Sequence, residues 1–368
     1  MRQSDVRGEA EKMKRILATG AGGPATTSFI RSLRDADDCY IIGTDHGRYN
    51  LFRSEANKTY LCPAATSPEY IPFILHIIEK EQIEFMHTQP EIETFVIGKH
   101  REQISSIGCK LFMPKQETIE LLRDKMHSYE SWRNAGIKVP ESIIINNVID
   151  LHDAYMKFKE VWIRETVGAA GKGSLSRPSM EMAIIQIDDR NGWGKTMAAE
   201  HLTKDTITWQ SIWENGRLVV GQGRRRLYWA FGNRAQSGVT GLTGTGVTVS
   251  DPELDALAIR CILAADEYPH GIFSVDFTFD WDGVPNPTEI NIGKFFTTHH
   301  FITRAGCNMP EILVQLAFGE YEGEYDIRNP CEEGLYWVRG IDTLPKLVSS
   351  GDIAKVEKEY LEILEEIR

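Results

Sequence analysis

The chain has 368 residues, 42% of them hydrophobic and 26% charged, and a net charge of −12. This length predicts two or three domains, and the composition is typical of a soluble globular protein. The acidic balance argues against a nucleic-acid partner, because a phosphate backbone requires a basic surface.

The cysteine pattern and the absence of long apolar runs favour a cytoplasmic protein. The six cysteines are widely and irregularly spaced and form no CxxC pair, which argues against a zinc site or a disulfide framework. No apolar run approaches the ~18 residues of a membrane span. The charged segment 1–14 also lacks the apolar centre of a signal peptide. We therefore expect no membrane partner.

The first third of the chain alternates short apolar runs with helical patterns. Strands are predicted over 15–19, 39–43, 84–87 and 110–113, and helices through 29–33 and over 71–81. Such alternation is typical of a parallel sheet covered by helices on both faces. It predicts one α/β domain over about residues 1–115.

A glycine-rich turn follows the first strand of this domain. Gly20-x-Gly22-x-x-Ala25, with Asp45 twenty residues beyond, matches the spacing of a dinucleotide-binding fingerprint. The alternative is a doubly wound domain whose first turn is merely tight. Pro24 favours that alternative, because it removes one backbone N–H from any phosphate cradle.

A second glycine-rich loop lies in the middle of the chain. Helical spacing runs from Gln116 to Asn134, and a strand over 161–164 then leads into the loop at 167–174. Its exposed N–H groups and the ammonium of Lys172 are suited to phosphate. The alternative is an ordinary hairpin tip, since the loop does not match a Walker A sequence.

The remaining elements are strands over 197–202 and 207–212, a β-rich region over 217–250, a helix over 251–264 and an amphipathic helix from 353 to 367. Within the β-rich region, the aromatic cluster at 228–231 indicates either a planar or apolar ligand group nearby or simple core packing.

Three oxygen-bearing side chains occur on two predicted neighbouring strands. Asp276 lies in an alternating run, a turn follows at 280–285, and Glu289 and Asn291 come next. An antiparallel pair of strands would bring Asp276 beside Glu289, with Asn291 on the same face. Mg²⁺ prefers oxygen ligands and usually shares them with substrate phosphates. The three residues therefore predict a magnesium site and a protein that handles ATP.

Several charged residues have two possible interpretations. Lys125, Arg164 and Lys294 are isolated cations, and Arg164 directly precedes the glycine loop. Most of the run 224–226 is expected at the surface, with Arg224 and Arg226 facing the same way. His299 and His300 are expected to have their hydrogen bonds satisfied rather than to act as catalytic groups. Glu91 and Glu93 either border a substrate cleft or lie in a solvated loop.

In this order, the motifs resemble the ATP-grasp superfamily over about residues 15–320. The resemblance rests on Asp124-Lys125, Gly136–Pro140, 163–174, 200–202 and the spacing Asp276…Glu289-Ile-Asn291. Within the superfamily, the chain is most similar to the branch of the carbamoyl-phosphate synthase large subunit. The residues that support this branch are Gly241-x-x-Gly244, 289–294 and 305–310.

The resemblance implies a combined α/β and α+β fold. A Rossmann-like pre-ATP-grasp domain would span 1–115, a small lid-bearing subdomain 116–198, and a large subdomain with the metal site 199–320. Residues 321–368 would form a C-terminal extension that ends in a helix.

The resemblance also assigns the candidate site residues. Lys125 and Arg164 would hold the triphosphate of ATP, and Asp276, Glu289 and Asn291 would bind one or two Mg²⁺, which Mn²⁺ could replace. The residues that would close over phosphate or face adenine are Gly168, Gly171, Lys172, Gly173, Ser174, Glu200, His201 and Leu202. The expected catalytic groups are Arg226 and Lys294. Thr206 stands where the family often has an acidic residue for ribose.

The function expected from these residues is an ATP-dependent carboxylate–amine ligase that forms an acyl phosphate. Its partners would be a small-molecule carboxylate and an amine, and the family makes a homodimer the expected assembly. The alternatives are phosphorylation of a carboxylate or carbamate without amide formation, an NAD-dependent oxidoreductase, and a non-catalytic nucleotide-binding module.

Overall fold

The computed structural model describes residues 13–36, 39–168, 171, 173–235, 237–239, 242–340 and 349–368. Strands in these ranges form a five-stranded, a four-stranded and a seven-stranded sheet. Within the same ranges, no helix combines the length and the apolar character needed to cross a membrane.

The N-terminal sheet is parallel and has the strand order β3-β2-β1-β4-β5. Its strands are β1 (Lys14–Thr19), β2 (Cys39–Asp45), β3 (Lys58–Leu61), β4 (Phe85–His87) and β5 (Lys110–Leu111). Its helices are α1 (Pro24–Ala36), α2 (Arg48–Leu51), α3 (Tyr70–Lys80), α4 (Glu91–Lys99) and α5 (Arg101–Ser106). The predicted parallel pairing of the strands is confirmed, and the assignment of residues 1–115 to one domain stays a prediction. Apolar residues fill the strands because helices cover such a sheet on both faces.

Two helices, rather than one, occupy the predicted helical run 116–134. They are α6 (Gln116–Arg123) and α7 (Lys125–Asn134), and Asp124 between them has an extended backbone. The Asp124 carboxylate accepts a hydrogen bond from the N–H of Met126 at 2.9 Å. Such an N-cap starts a new helix, so Lys125 becomes the first residue of α7.

The four-stranded sheet is antiparallel and has the order β6-β9-β7-β8. Its elements are β6 (Ser142–Ile145), α8 (Val148–Lys157), β7 (Val161–Glu165), β8 (Leu175–Ser176), α9 (Met180–Asp189) and β9 (Thr196–Glu200). A separate apolar core that includes Ile145, Leu151, Ile163 and Ile187 joins the sheet to its helices.

The large sheet has the order β14-β13-β10-β11-β12-β16, and β15 pairs with β11. Its strands are β10 (Thr206–Glu214), β11 (Arg217–Trp229), β12 (Thr243–Val249), β13 (Gly271–Phe279), β14 (Pro285–Ile292), β15 (Ile327–Arg328) and β16 (Tyr336–Val338). The indole of Trp209 lies close to Gly221, where a Cβ would be 2.2 Å from the nearest ring atom. Its Nε1 donates to Asp255 at 2.8 Å, which ties the sheet to a covering helix.

The helices around the large sheet are α10 (Pro252–Ala265), α11 (His300–Arg304) and α12 (Met309–Phe318). The C-terminal helix α13 (Ser350–Glu366) instead packs against β3, α2 and α3 of the N-terminal sheet. Ile363 and Leu364 of α13 are buried in the same apolar core as Tyr60 and Phe73.

Candidate active site

One cavity of about 1310 Å³ is lined by strand residues of two sheets and by residues that follow strand β4 of the N-terminal sheet. Arg164 and Ala199 come from the four-stranded sheet, Asp276 and Glu289 from the large sheet, and Gln89 from the loop after β4. A pocket for one small ligand is usually about 300–1,000 Å³. The cavity therefore has room for a nucleotide and a second substrate.

The predicted hairpin brings the three oxygen-bearing residues together. Asp276 of β13 is paired directly with Glu289 of β14, as the sequence predicted. The Asn291 amide nitrogen donates to Asp276 Oδ2 at 2.9 Å, which leaves the amide oxygen as the ligating atom. All three residues line the cavity. Their oxygen-only donor set fits Mg²⁺.

This donor set contains two carboxylates and an amide. Among the described residues, no group of three or more histidine, cysteine, aspartate and glutamate side chains is arranged to hold a metal. A Mg²⁺ ion at Asp276, Glu289 and Asn291 would thus take its other ligands from phosphate and water, as is usual for this ion.

Cations surround Glu289. Arg164 Nη2 donates to Glu289 Oε2 at 2.7 Å, and Lys125 Nζ lies 3.9 Å from the same oxygen. Burial raises the pKa of Glu289, but the charges of Lys125, Arg164 and Lys294 outweigh this effect and lower it to about 2. The carboxylate therefore stays ionised, and the excess positive charge around it suits a phosphate.

Lys125 reaches this cluster from the first turn of α7. Its backbone N–H donates to Thr166 O at 3.0 Å, and its Nζ donates to Gly168 O at 2.9 Å. Burial lowers the pKa of this ammonium. The helix start created by Asp124 thus joins the Lys125 side chain to the base of the glycine loop.

The glycine loop contributes Gly168, Gly171 and Ser174 to the cavity wall. Gly171 and Gly173 have φ of +68° and +73°, a conformation that L side chains rarely adopt. Gly173 does not line the cavity. Its carbonyl accepts from Gln186 at 2.7 Å, and a Cβ on Gly173 would lie 2.9 Å from Arg190 Nε. Lys172 of the prediction lies outside the described residues.

The predicted adenine-facing segment is divided between the cavity and the interior. Glu200 and Leu202 line the cavity, whereas His201 does not. The His201 ring lies 2.9 Å from Ser176 Oγ through Nε2, and its carbonyl accepts from the Trp281 indole at 3.1 Å. The side chain of His201 thus packs on the side of the segment 200–202 that faces away from the cavity.

The expectation that most of the run 224–226 lies at the surface is wrong for Arg224, which is only 1% exposed. Arg224 and Arg226 both line the cavity, as the predicted alternation required. Arg225 points to the opposite face, where it pairs with Asp205 and lies over the ring of Phe279. The Arg224 side chain is buried because the Phe296 ring and the hydroxyl groups of Thr208, Thr243 and Thr298 surround it. The alternation of side chains along β11 was the sequence signal that could have indicated an inward-facing Arg224.

Hydroxyl groups surround the two inward-facing arginines. Arg224 donates to Thr243 at 2.7 Å and to Thr208 at 2.6 Å, and Arg226 donates to Thr206 at 2.9 Å. The Arg226 guanidinium also lies 3.5 Å from the centre of the Trp229 ring. Burial lowers the pKa of Arg226 to about 10.

A row of paired residues crosses the large sheet and joins the arginines to the metal-ligand candidates. Arg224 is paired with Thr208, Thr208 with Asp276, and Asp276 with Glu289. The Thr208 hydroxyl donates to Asp276 and accepts from Arg224. Neighbouring strands lie about 4.8 Å apart, so an anion at Arg224 would be close to a Mg²⁺ ion at Asp276.

Lys294 follows strand β14, two residues after its end. It lines the cavity, and its Nζ is 3.7 Å from Glu91 Oε2. Glu91 also lines the cavity, which favours the interpretation of this residue as part of a substrate cleft. Glu93 is 3% exposed, so neither the cleft border nor a solvated loop describes it.

The two histidines after β14 do not line the cavity. His299 is buried, and its Nδ1 lies 2.9 Å from the Phe296 carbonyl. Burial lowers the pKa of His299 to about 3, so the ring is neutral. His300 lies 3.1 Å from Asp35. The expectation of a satisfied histidine thus agrees with the contact of His300, whereas His299 Nε2 has no hydrogen-bond partner within the described residues.

Protein atoms fill the first glycine-rich turn, the alternative nucleotide site. A Cβ at Gly20 would lie 2.5 Å from Pro90 Cγ, and one at Gly22 would overlap the Asn50 carbonyl. The Asp45 carboxylate accepts from the Gly22 N–H at 3.0 Å. Packing therefore accounts for these glycines, and Asp45 has a structural partner in place of a ribose.

No protein-family sequence model matches the chain, and no curated protein matches it in sequence. Solved structures do match it. The biotin carboxylase domain of 2-oxoglutarate carboxylase from Hydrogenobacter thermophilus, solved with MgADP and bicarbonate, superposes with a TM-score of 0.66 at 15% identity. The match covers 88% of this chain and 73% of that one.

Two other kinds of enzyme give similar matches. N5-carboxyaminoimidazole synthetase from Staphylococcus aureus, complexed with ADP, has a TM-score of 0.62 at 15% identity over 86% of this chain and 81% of that one. L-amino acid ligase from Bacillus licheniformis has a TM-score of 0.64 at 13% identity over 85% of this chain and 77% of that one.

All three of these matched proteins are ATP-grasp enzymes. The chain therefore has the ATP-grasp fold, and the predicted resemblance is confirmed at the level of fold. The narrower assignment to the branch of the carbamoyl-phosphate synthase large subunit stays a prediction.

Proposed function

We propose that the chain is a Mg²⁺-dependent ligase that uses ATP to join a carboxylate to an amine. The observation that carries this proposal is the convergence of Asp276, Glu289 and Asn291 beside Arg164 and Lys125. The size of the cavity supports it, as do the matches to structures solved with ADP and to an amino acid ligase.

In this proposal, the nucleotide lies between the four-stranded and the large sheets. Lys125 and Arg164 bind the triphosphate, the loop 168–174 closes over it, and the segment 200–202 borders the adenine. Asp276, Glu289 and Asn291 hold one or two Mg²⁺ ions. When bound, Mg²⁺ would neutralise charge on the phosphate oxygens.

The proposed reaction needs no protein nucleophile. A carboxylate oxygen of the substrate attacks the γ-phosphorus of ATP, and ADP leaves. Arg226 and Lys294 stabilise the negative charge of the transferred phosphoryl group. The amine then attacks the acyl carbon, phosphate leaves, and the nitrogen loses a proton to give the amide. Closure of the glycine loop protects the labile acyl phosphate from water.

A second candidate is phosphorylation of a carboxylate or carbamate without amide formation. The observation that favours it is the match to a biotin carboxylase domain solved with bicarbonate. Mass spectrometry of the product distinguishes the two reactions, because only the ligase forms an amide that contains the amine.

The domain division proposed with this function is a pre-ATP-grasp domain over 1–115, a small subdomain over 116–198 and a large subdomain over 199–320. The remainder, 321–368, is the C-terminal extension. The small-molecule acid and amine would enter the shared cavity. A homodimer is proposed as the assembly, which light scattering would test.

The function is tested by phosphate release from ATP with panels of acids and amines. We expect the double variant Asp276→Ala/Glu289→Ala to lower turnover by at least about 100-fold. Asp282→Ala is the matched control, since Asp282 is an exposed carboxylate in the same hairpin and away from the cavity. Unchanged turnover in the double variant would refute the mechanism.

A further inference from the structure

A bulge in β11 places four consecutive side chains on the cavity wall. Arg226 pairs with Gly246 and Tyr228 with Thr245, so Leu227 has no partner in register. Bulges redirect side chains that regular alternation would send to opposite faces. As a result, Arg226, Leu227, Tyr228 and Trp229 all line the cavity.

This wall presents apolar surface that the core does not cover. Leu227 is 49% exposed and Tyr228 is 53% exposed. Core packing, one of the two interpretations of the aromatic cluster, therefore does not describe Tyr228. A Cβ at Gly244 would overlap the Tyr228 ring, so one part of the ring lies against that backbone while the rest remains accessible. Such a ring can stack against a planar ligand group.

Positive charge lies directly beside the apolar wall. Neither Arg224 nor Arg226 forms an ion pair with an acidic side chain in the part of the chain that the structure describes. In the same part, the buried Nε of Arg224 has no hydrogen-bond partner. The nearby charge of Asp276 is shared by both guanidinium groups. Buried cations are costly without an anion, so the site suits one further carboxylate.

We propose that the acid substrate is amphipathic, a deduction that rests on the proposed ligase function. Its carboxylate binds at Arg224 and Arg226, next to Asp276, and its aromatic or branched apolar group packs against Leu227 and Tyr228. The substrate class is thus a hydrophobic monocarboxylate, as opposed to bicarbonate or a polar diacid.

The test is a ligand-observed NMR titration of the full chain with 3-phenylpropionate, acetate, succinate and ¹³C-labelled bicarbonate, with and without MgADP. We expect 3-phenylpropionate to bind at least about 10-fold more tightly than the other three acids. Tyr228→Ser should weaken its binding about five- to tenfold and leave acetate binding unchanged. Arg226→Gln should weaken both acids.

The matched control is Tyr268→Ser, which removes an exposed tyrosine outside the cavity and should change no affinity. Leu227→Ser is a second variant, and like Tyr228→Ser it should weaken the binding of 3-phenylpropionate. Equal binding of succinate and 3-phenylpropionate, or an unchanged preference in both wall variants, would overturn the substrate assignment. A separate MgADP titration tests the proposed function. If MgADP does not bind, the proposed ligase function fails, and the relative affinities of the four acids can still be measured without nucleotide.

Discussion

Glu289 and Glu93 show that neighbours and burial together decide whether a carboxyl group is ionised. Three cations outweigh the effect of burial on Glu289 and lower its pKa to about 2. Burial raises the pKa of Glu93 to about 7, and the charge of Asp45 adds to the rise. Glu93 Oε2 also has no hydrogen-bond partner in the described residues. Glu289 is thus suited to bind a cation, whereas ionised Glu93 lowers the stability of the folded protein.

At the residue scale, the raised pKa of Glu93 predicts a pH-dependent effect of Glu93→Gln. Between pH 4.5 and about 7, the folded protein keeps a proton that the unfolded chain has lost. The contribution of Glu93 to stability therefore falls as pH rises through this window. We expect Glu93→Gln to gain about 3 kcal/mol in unfolding free energy at pH 8 and little at pH 4.5.

The measurement is urea unfolding of both proteins at the two pH values. Glu91→Gln is a suitable comparison, since Glu91 is a partly exposed glutamate of the same helix that pairs with Arg123. A stability difference that is the same at pH 4.5 and pH 8 would contradict a raised Glu93 pKa.

At the scale of elements, close backbone contacts explain the placement of glycine. The sequence pattern of the first turn indicated a dinucleotide site, but the contacts of Gly20 and Gly22 are with Pro90 and Asn50. In the second loop, a Cβ at Gly171 would lie 3.1 Å from the Val239 carbonyl. The glycine loop thus approaches the connection between β11 and β12, on the side of the proposed acid site.

The packing of the first turn predicts that Gly22→Ala is destabilising without affecting nucleotide binding. The added methyl group would overlap the Asn50 carbonyl, so the turn or α2 must shift. We expect a loss of about 1–3 kcal/mol in unfolding free energy. Calorimetric MgADP affinity should stay unchanged.

Gly340→Ala provides the control for this change, because a Cβ at Gly340 meets no atom of the described residues within 4 Å. If Gly22→Ala abolished nucleotide binding while the protein kept its stability, the first turn would be a ligand site after all.

At the scale of the whole molecule, the C-terminal helix joins the two ends of the described chain. Ile363 of α13 is 1% exposed and belongs to the same core as Tyr60 and Phe73 of the N-terminal sheet. The segment before it adds β16 to the large sheet. Residues beyond 320 therefore contact both sheets, although the active-site candidates all lie before them.

This packing predicts that Ile363→Ala lowers the unfolding free energy by about 2–5 kcal/mol, through lost burial and the cavity that remains. MgADP affinity should be unchanged at temperatures where the variant is folded. Thermal unfolding followed by circular dichroism measures the effect.

Leu361→Ala on the same helix is the control, because Leu361 is 57% exposed and should change stability by no more than about 0.5 kcal/mol. Equal effects of the two substitutions would contradict the packing of α13 on the N-terminal sheet.

Local patterns predicted the parts of the structure that depend on neighbouring residues. Alternation along β13 and β14, with a turn between them, was sufficient to pair Asp276 with Glu289. The same rule placed Arg224 and Arg226 on one face of β11. Period-two geometry is a property of the strand itself, so no knowledge of the remaining chain was needed.

The sequence by itself thus determined the parallel N-terminal sheet, the hairpin that carries the candidate metal ligands, and the resemblance to the ATP-grasp fold. Only the tertiary structure decided the burial of Arg224 and Glu93, the position of the His201 side chain outside the cavity, and the packing of α13 on the N-terminal sheet. Each of these depends on contacts between residues far apart in the chain, and burial and charge environment arise from such contacts rather than from local periodicity.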